Sequence, residues 1–192
     1  MTAFSVVGVP LDDHGLVRRA REGDVEAYAA LLRAHQGAAA RLAAGLCGAG
    51  DADEVTQDSF VKAWYGLDRF RDGAAFRPWL LRIVANEARN RRRSAGRRAD
   101  HELRFAGDRS FAPVVPSSDS PEHAMLAADT RLALRAALTG LPERQREVII
   151  CRYVAGLSEA ETAQVLGLAR GTVKSRAARG LARLRNEVDL DG

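Results

Sequence analysis

The chain has 192 residues, 46% of them hydrophobic, which suffices for one moderate core or two small ones and excludes a disordered polypeptide. Aromatic residues make up only 6%, Ala, Leu and Arg abound and no alternating apolar pattern occurs, so a β-rich fold is excluded and an all-α one expected. The formal net charge of +4 is modest, and local charge rather than this total decides where a polyanion would bind.

Asp13 to about Leu46 reads as two helices, one lined by Leu16, Val17 and Ala20, the next by Ala27, Tyr28, Leu31 and Leu32, with Gly23 and Asp24 dividing them. A third helix is expected from near Asp51, with Val55, Phe60, Val61, Trp64 and Leu67 as its apolar side. Glu54, Gln57 and Asp58 face elsewhere on it. After a loop from Arg69 to Ala75, Pro78 suits the first turn of a fourth helix, where its missing N–H has no partner to lose. Phe76, Leu80, Ile83, Val84 and Ala88 form one stripe there; Phe76 and Trp79 could stack on bases, but their spacing to Leu80 and Ile83 favours the core. Arg82, Asn86, Arg89 and Arg93 recur at four, three and four residues and make a second, polar face. A solvated surface helix has that pattern, but an amide flanked by guanidinium groups also suits base edges and phosphates.

From 99 to about 128 the periodicity weakens, and Pro113, Pro116 and Pro121 stand among Ser110, Ser117, Ser118 and Ser120. The expected organisation is therefore a helical domain over 1–98, a flexible linker over 99–128 and a second helical domain over 129–192. Helical spacing resumes with Leu126, Leu132, Leu134 and Leu138, and again after Leu141-Pro142-Glu143 with Val148, Ile149 and Val154 before a turn at Gly156. Ser158 and Glu161, three apart, form a capping box that opens a short helix, which Gly167 breaks. The last helix, from about Gly171, turns Val173, Ala177, Leu181 and Leu184 inward and leaves Arg170, Lys174, Ser175, Arg176 and Arg179 outside. Small Ala163 and flexible Gly167 allow the close approach that a helix-turn-helix needs to set a recognition helix in a major groove.

Charge is concentrated where these elements would meet DNA. Arg69 to Arg98 holds ten arginines against Asp72 and Glu87, and Arg170 to Arg185 holds six basic residues and no acidic one, whereas Asp51 to Asp58 is acidic. Of the 29 basic residues only Lys62 and Lys174 are lysine, a bias that base composition alone can produce, so arginine position counts for more than arginine number. Cys47 and Cys151 are far apart, without Cys or His at ligand spacing, and read as small buried hydrophobes; His14, His35, His101 and His123 are equally scattered. No metal or cofactor is expected. No apolar run approaches a membrane span and the N-terminus lacks a basic stretch followed by an apolar one, so no membrane insertion and a cytoplasmic location are expected.

Asp53-Glu54-Val55-Thr56-Gln57-Asp58-Ser59-Phe60-Val61-Lys62-Ala63-Trp64, Phe70-Arg71 and Phe76-Arg77-Pro78-Trp79-Leu80 resemble region 2 of an extracytoplasmic-function RNA polymerase sigma factor, of the sigma-70 superfamily. Leu141-Pro142-Glu143-Arg144-Gln145-Arg146-Glu147 and Gly171-Thr172-Val173-Lys174-Ser175-Arg176 resemble its region 4. The two blocks stand in the family's order and cover most of the chain outside the N-terminal tail and linker. The resemblance implies a transcription initiation subunit, not an enzyme, that binds core RNA polymerase, directs it to promoter DNA and helps melt it. It implies that Glu54, Gln57 and Asp58 meet the clamp helices of the large polymerase subunit. Arg71, Asp72, Arg82, Asn86, Arg89 and Arg93 would engage the minus-ten element, where a base is extruded and captured. Arg170, Lys174, Ser175, Arg176 and Arg179 would engage the minus-thirty-five element. Ala177, Ala178 and Gly180 stand where many relatives carry bulkier side chains, and Gly180 costs a helix about 1 kcal/mol. The resemblance also implies an anti-sigma factor as partner, nucleoid association in the holoenzyme, and a linker in the RNA exit path whose Asp108, Asp119, Glu122 and Asp129 imitate nucleic acid.

Two other classes compete. A stand-alone helix-turn-helix repressor or activator would bind paired half-sites as a dimer and have no use for the Glu54 to Trp64 block. A metal-dependent nuclease would need Asp51, Asp53, Glu54 and Asp58 to converge, but neighbours on a helix diverge by about 100°.

Overall fold

The computed structural model describes the backbone of residues 12–102 and 136–190 and the side chains of 12–94 and 136–186. Asp108, Asp119, Glu122 and Asp129, the linker prolines, and Leu126, Leu132 and Leu134 lie outside the described residues, as does His101 beyond its backbone. Regular structure among the described residues is helical throughout.

The helix starts are written into the sequence as caps. Asp12 opens α1 (Asp13–Arg21) by accepting from the Gly15 N–H at 2.9 Å, and Asp24 opens α2 (Val25–Cys47) by accepting from the Ala27 N–H at 3.0 Å. Between them Gly23 takes φ +90°, a left-handed conformation that ends α1 where the sequence indicates a break. α3 (Ala49–Gly66) follows, then a single 3-10 turn and a loop, and α4 (Phe76–Glu102), which carries on past residue 98. Val17, Tyr28, Leu31, Phe70, Phe76 and Leu80 close one end of this bundle. The rings of Phe70, Phe76 and Trp79 pack tilted or edge-on with centroids 5.0 to 5.9 Å apart, which buries Phe76 in the core and leaves Trp79 partly exposed.

Val55, Phe60, Trp64 and Leu67 face the core as expected, and Val61 does not. Val61 is 57% exposed, and the buried positions are Ala52, Val55, Thr56, Ser59 and Ala63. At about 100° per residue Val61 sits about 240° around the helix from Val55, outside that stripe. The inward face is built of small side chains, and the hydroxyls of Thr56 and Ser59 are satisfied within the helix by the carbonyls of Ala52 and Val55, at 2.7 and 2.6 Å.

The C-terminal half begins with helical residues 136–140 and continues with α5 (Glu143–Ile149), which widens into a π turn at Ile150–Val154. α6 (Glu159–Leu166) has the predicted capping box: Ser158 Oγ accepts from the Glu161 N–H at 3.1 Å and the Glu161 carboxylate accepts from the Ser158 N–H at 2.8 Å. Gly167, at φ +66°, turns the chain into α7 (Arg170–Leu190). Val173 and Ala177 of α7 pack on Val148 and Ala163, and Leu181 and Leu184 on Leu138, Leu141 and Ile149. Gly180 is buried, and a Cβ there would lie 2.9 Å from Ile149 Cγ1, so close packing is what its cost in helix propensity secures.

The two halves are more than tethered: they share a core. Leu42 and Leu46 of α2 and Leu81 and Val84 of α4 form one cluster with Ile150, Cys151, Leu157 and Val165. The α2 surface that meets the π turn is small, and a Cβ on Gly45 would lie 2.5 Å from Ile150 Cγ2. Arg41 Nε donates to the Val154 carbonyl at 3.1 Å beside this contact. Cys151 is fully buried and Cys47 partly so, and burial pushes their thiols up to about 12 and about 11 respectively. Both therefore behave as the small hydrophobes expected of them.

Candidate nucleic-acid interface

Three surfaces carry the residues singled out from the sequence. On α3, Glu54, Gln57 and Asp58 are exposed, and the helix turns Val61 and Tyr65 out beside them, 57% and 79% exposed. These five positions fall within about 100° of one another around the helix. Glu54 pairs with the Arg91 guanidinium of α4, whose Nε also lies 3.5 Å from Asp51 Oδ1, so two of the clustered carboxylates turn towards an arginine. Sequence reasoning missed Val61 and Tyr65 as surface residues; their register against Gln57 and Asp58 is the signal that finds them.

The second surface is the loop before α4 and the outer face of that helix. Arg71 and Asp72 are exposed at the loop, and Arg21 of α1 holds it from behind. Arg21 Nε donates to the Leu67 carbonyl at 2.9 Å, its two terminal nitrogens reach the Phe70 carbonyl and Asp72, and its guanidinium stands 5.9 Å from the centre of the Phe70 ring. A cleft of about 680 Å³ opens beside the loop, lined by Arg71, Trp79 and Arg82 and bordered by Gln164 of α6. Arg82, Asn86 and Arg93 are exposed, as the polar spacing predicts.

Arg89 departs from that pattern. Its side chain is only 18% exposed, and Nε and Nη2 donate to the two Glu147 carboxylate oxygens at 2.7 and 3.2 Å, while Nη1 donates to Asn86 Oδ1 at 3.2 Å. Burial alone would lower its affinity for a proton; the Glu147 carboxylate outweighs burial and holds the guanidinium charged above its ordinary range. The forked geometry is the one that a phosphate or a guanine edge would otherwise occupy. Two other α4 arginines meet the C-terminal half in the same way. Arg77 Nη1 reaches Glu161 at 2.5 Å and Arg92 pairs with Glu143.

The third surface is the N-terminal half of α7. Arg170, Lys174, Ser175 and Arg179 are exposed and Arg176 partly so. Arg179 Nε donates to the Ser175 carbonyl at 3.2 Å and Nη2 to its hydroxyl at 3.3 Å, and Arg170 Nε stands 3.5 Å from Glu159. Arg176 and Arg179 line a cleft of about 520 Å³ with Arg144 of α5. Arg144 escaped sequence reasoning because its place beside the recognition helix depends on how α5 and α7 pack. At about 100° per residue the five predicted residues spread over about 240° of α7, and none of their partners removes them from solvent.

Comparison with known proteins agrees with this geometry. The sigma-70 region 2 family matches residues 31–98 and the sigma-70, region 4 family matches residues 131–184. The chain is 36% identical over 176 residues to the RNA polymerase sigma factor NccH of Alcaligenes xylosoxydans xylosoxydans, covering 91% of this chain and 94% of that one. It is 34% identical over 181 residues to the ECF RNA polymerase sigma-E factor of Escherichia coli strain K12, covering 93% and 95%. Among solved structures it is similar to CnrH in complex with the cytosolic domain of CnrY, with a TM-score of 0.71 and 30% identity over 94% of this chain and 99% of that one. It is also similar to the sigma factor RpoE in complex with the anti-sigma factor NepR from Bartonella quintana, with a TM-score of 0.71 and 27% identity over 88% and 100%.

Proposed function

Because the chain belongs to the extracytoplasmic-function sigma factors, we propose that it docks on core RNA polymerase through the exposed face of α3 and carries it to promoters through α4 and α7. The observation that carries this reading is the pairing of exposed Val61 and Tyr65 with Glu54, Gln57 and Asp58. Apolar and aromatic side chains rimmed by acid and amide groups have the make-up of a protein interface, and that surface repels DNA. A stand-alone repressor or activator has no use for it.

The cationic surfaces take the two promoter elements. Extruding a base costs a few kcal/mol, which a pocket with a stacking wall and hydrogen-bond donors must repay. The cleft lined by Arg71, Trp79 and Arg82 offers both, with Asp72, Asn86, Arg89 and Arg93 alongside to engage the separated strand of the minus-ten element. On α7, Arg176 and Arg179 read base edges of the minus-thirty-five element while Arg170, Lys174 and Ser175 hold phosphates. Core polymerase places the protein in the cytoplasm and, as holoenzyme, on the nucleoid. An anti-sigma factor is its expected inhibitor, in keeping with the solved relative bound to NepR. Among the described residues no helix is long and apolar enough to cross a membrane.

The test is the affinity of the purified chain for core RNA polymerase, with Gln57→Ala and Asp58→Ala combined. Loss of tenfold or more in the variant is expected, since truncating hot-spot residues of an interface costs about 2 kcal/mol or more. Failure of the wild type to bind core, with tight dimeric binding to duplex DNA, would establish a repressor or activator instead.

A further inference from the structure

We propose that Arg91 of α4 serves polymerase binding and not DNA, as a positioning residue that holds Glu54 in the orientation core RNA polymerase meets. The inference rests on reading the exposed face of α3 as the docking surface. At about 100° per residue Arg91 stands about 170° around α4 from the centre of the face made by Arg82, Asn86, Arg89 and Arg93. It reaches instead to the N-terminal half of α3, where it meets two carboxylates one turn apart. Nε lies 3.5 Å from Asp51 Oδ1, and Nη2 pairs with Glu54 Oε2. Nη2 is shut off from water and has no aligned hydrogen-bond acceptor, so the Glu54 carboxylate is held as its counter-charge. The Arg91 side chain is 23% exposed and that of Glu54 62%. The anchor is thus largely packed away while the group it anchors faces solvent.

An ion pair on so exposed a carboxylate adds little to the stability of the fold. What the pair supplies is order: a free glutamate loses its rotamer freedom when a partner binds, and Arg91 removes that cost beforehand. The bridge engages Oε2 and leaves Oε1 to a donor on polymerase. Two acids on one guanidinium leave the trio net negative, so the surface keeps its attraction for a cationic partner. Deleting Arg91 makes that surface more acidic still. A residue acting through charge alone would therefore tighten polymerase binding when removed, whereas a positioning residue weakens it. Glu87, one turn before Arg91 on α4, pairs with Lys62 of α3. It fastens the same seam at a different residue, and so separates positioning of Glu54 from general support of the two helices.

The experiment measures the affinity of the full chain for core RNA polymerase. The variants are Arg91→Ala, Arg91→Lys, Glu87→Gln, Glu54→Ala, and Arg91→Ala combined with Glu54→Ala. Arg91→Ala is expected to weaken binding by about two- to tenfold, the cost of ordering one flexible side chain at an interface. Arg91→Lys, which keeps a cation within reach of Glu54, recovers part of that loss. Glu87→Gln changes affinity by less than about twofold, as befits a surface pair outside the docking face. In the Glu54→Ala background Arg91→Ala costs nothing further, because the group through which it acts has gone. Tighter or unchanged binding by Arg91→Ala, no recovery in Arg91→Lys, an equal loss in Glu87→Gln, or a full additional loss on top of Glu54→Ala would each overturn the proposal. Wild type that fails to bind core defeats the docking reading itself, and this inference with it. Wild type that binds core while Glu54→Ala is harmless defeats this inference alone, since Gln57 and Asp58 can still carry the docking.

Discussion

Arg21 shows how a residue outside every surface proposed for DNA governs one of them. Its guanidinium ties together the Leu67 and Phe70 carbonyls and the Asp72 carboxylate, and so sets the path of the loop that presents Arg71. Lysine keeps the charge but has no planar fork to reach three acceptors at fixed angles. Arg21→Lys is therefore expected to lower open-complex formation about tenfold while core binding stays at the wild-type level; permanganate footprinting near the start site against a polymerase pull-down checks it, and equal loss in both would contradict it. The sequence made most of the cationic residues legible because charge repeats at helical spacing on α4 and α7. It could not show Arg21, which lies 46 to 51 positions from its partners, nor that Arg89 is held by Glu147, since neither contact leaves a periodic trace.

At the level of elements, caps and breaks were the most readable features, because each is a local bargain between one side chain and the first free N–H groups of a helix. Asp24, Ser158 and Gly167 act where the sequence indicates a break or a cap, and Asp12 caps α1 just before the expected start. The inward face of α3 was legible only at its large residues, because apolar size wrongly favours Val61 and passes over the buried Ala52, Thr56, Ser59 and Ala63. Small residues let α3 approach its neighbours closely, and small residues carry little hydrophobic signal. Gly180 obeys the same logic on α7. Gly180→Val is expected to destabilise the C-terminal half by about 1–3 kcal/mol, the usual cost of overpacking, because its Cβ would press on Ile149. Urea unfolding of the variant checks this; an unchanged midpoint would mean that the helix–helix seam yields more easily than the contact implies.

For the molecule as a whole, two helical units were evident from the break in periodicity, but their shared core was not. The α2 surface that accepts the π turn includes Gly45, within an alanine-rich stretch that reads as ordinary helix until Ile150 is seen against it. Glu161 couples the halves electrostatically. Burial alone would raise its carboxyl, but hydrogen bonds from Ser158 and the Arg77 guanidinium outweigh that and hold it below the usual glutamate range. A carboxyl depressed in the folded state stabilises it above the unfolded-state value, and that contribution disappears as pH falls through the folded-state value. Thermal melting from neutral pH down to about pH 3 should therefore lose less stability in Glu161→Gln than in the wild type, and parallel curves would show that the carboxylate contributes nothing to the fold. The missing side chain at Gly45 gives this design a different kind of reach. One added carbon in α2 would meet Ile150 and no residue proposed to contact polymerase or DNA, so the fit between the halves can change while those contacts keep their side chains. The seam between the halves and the surfaces proposed for binding are thereby written on separate codons.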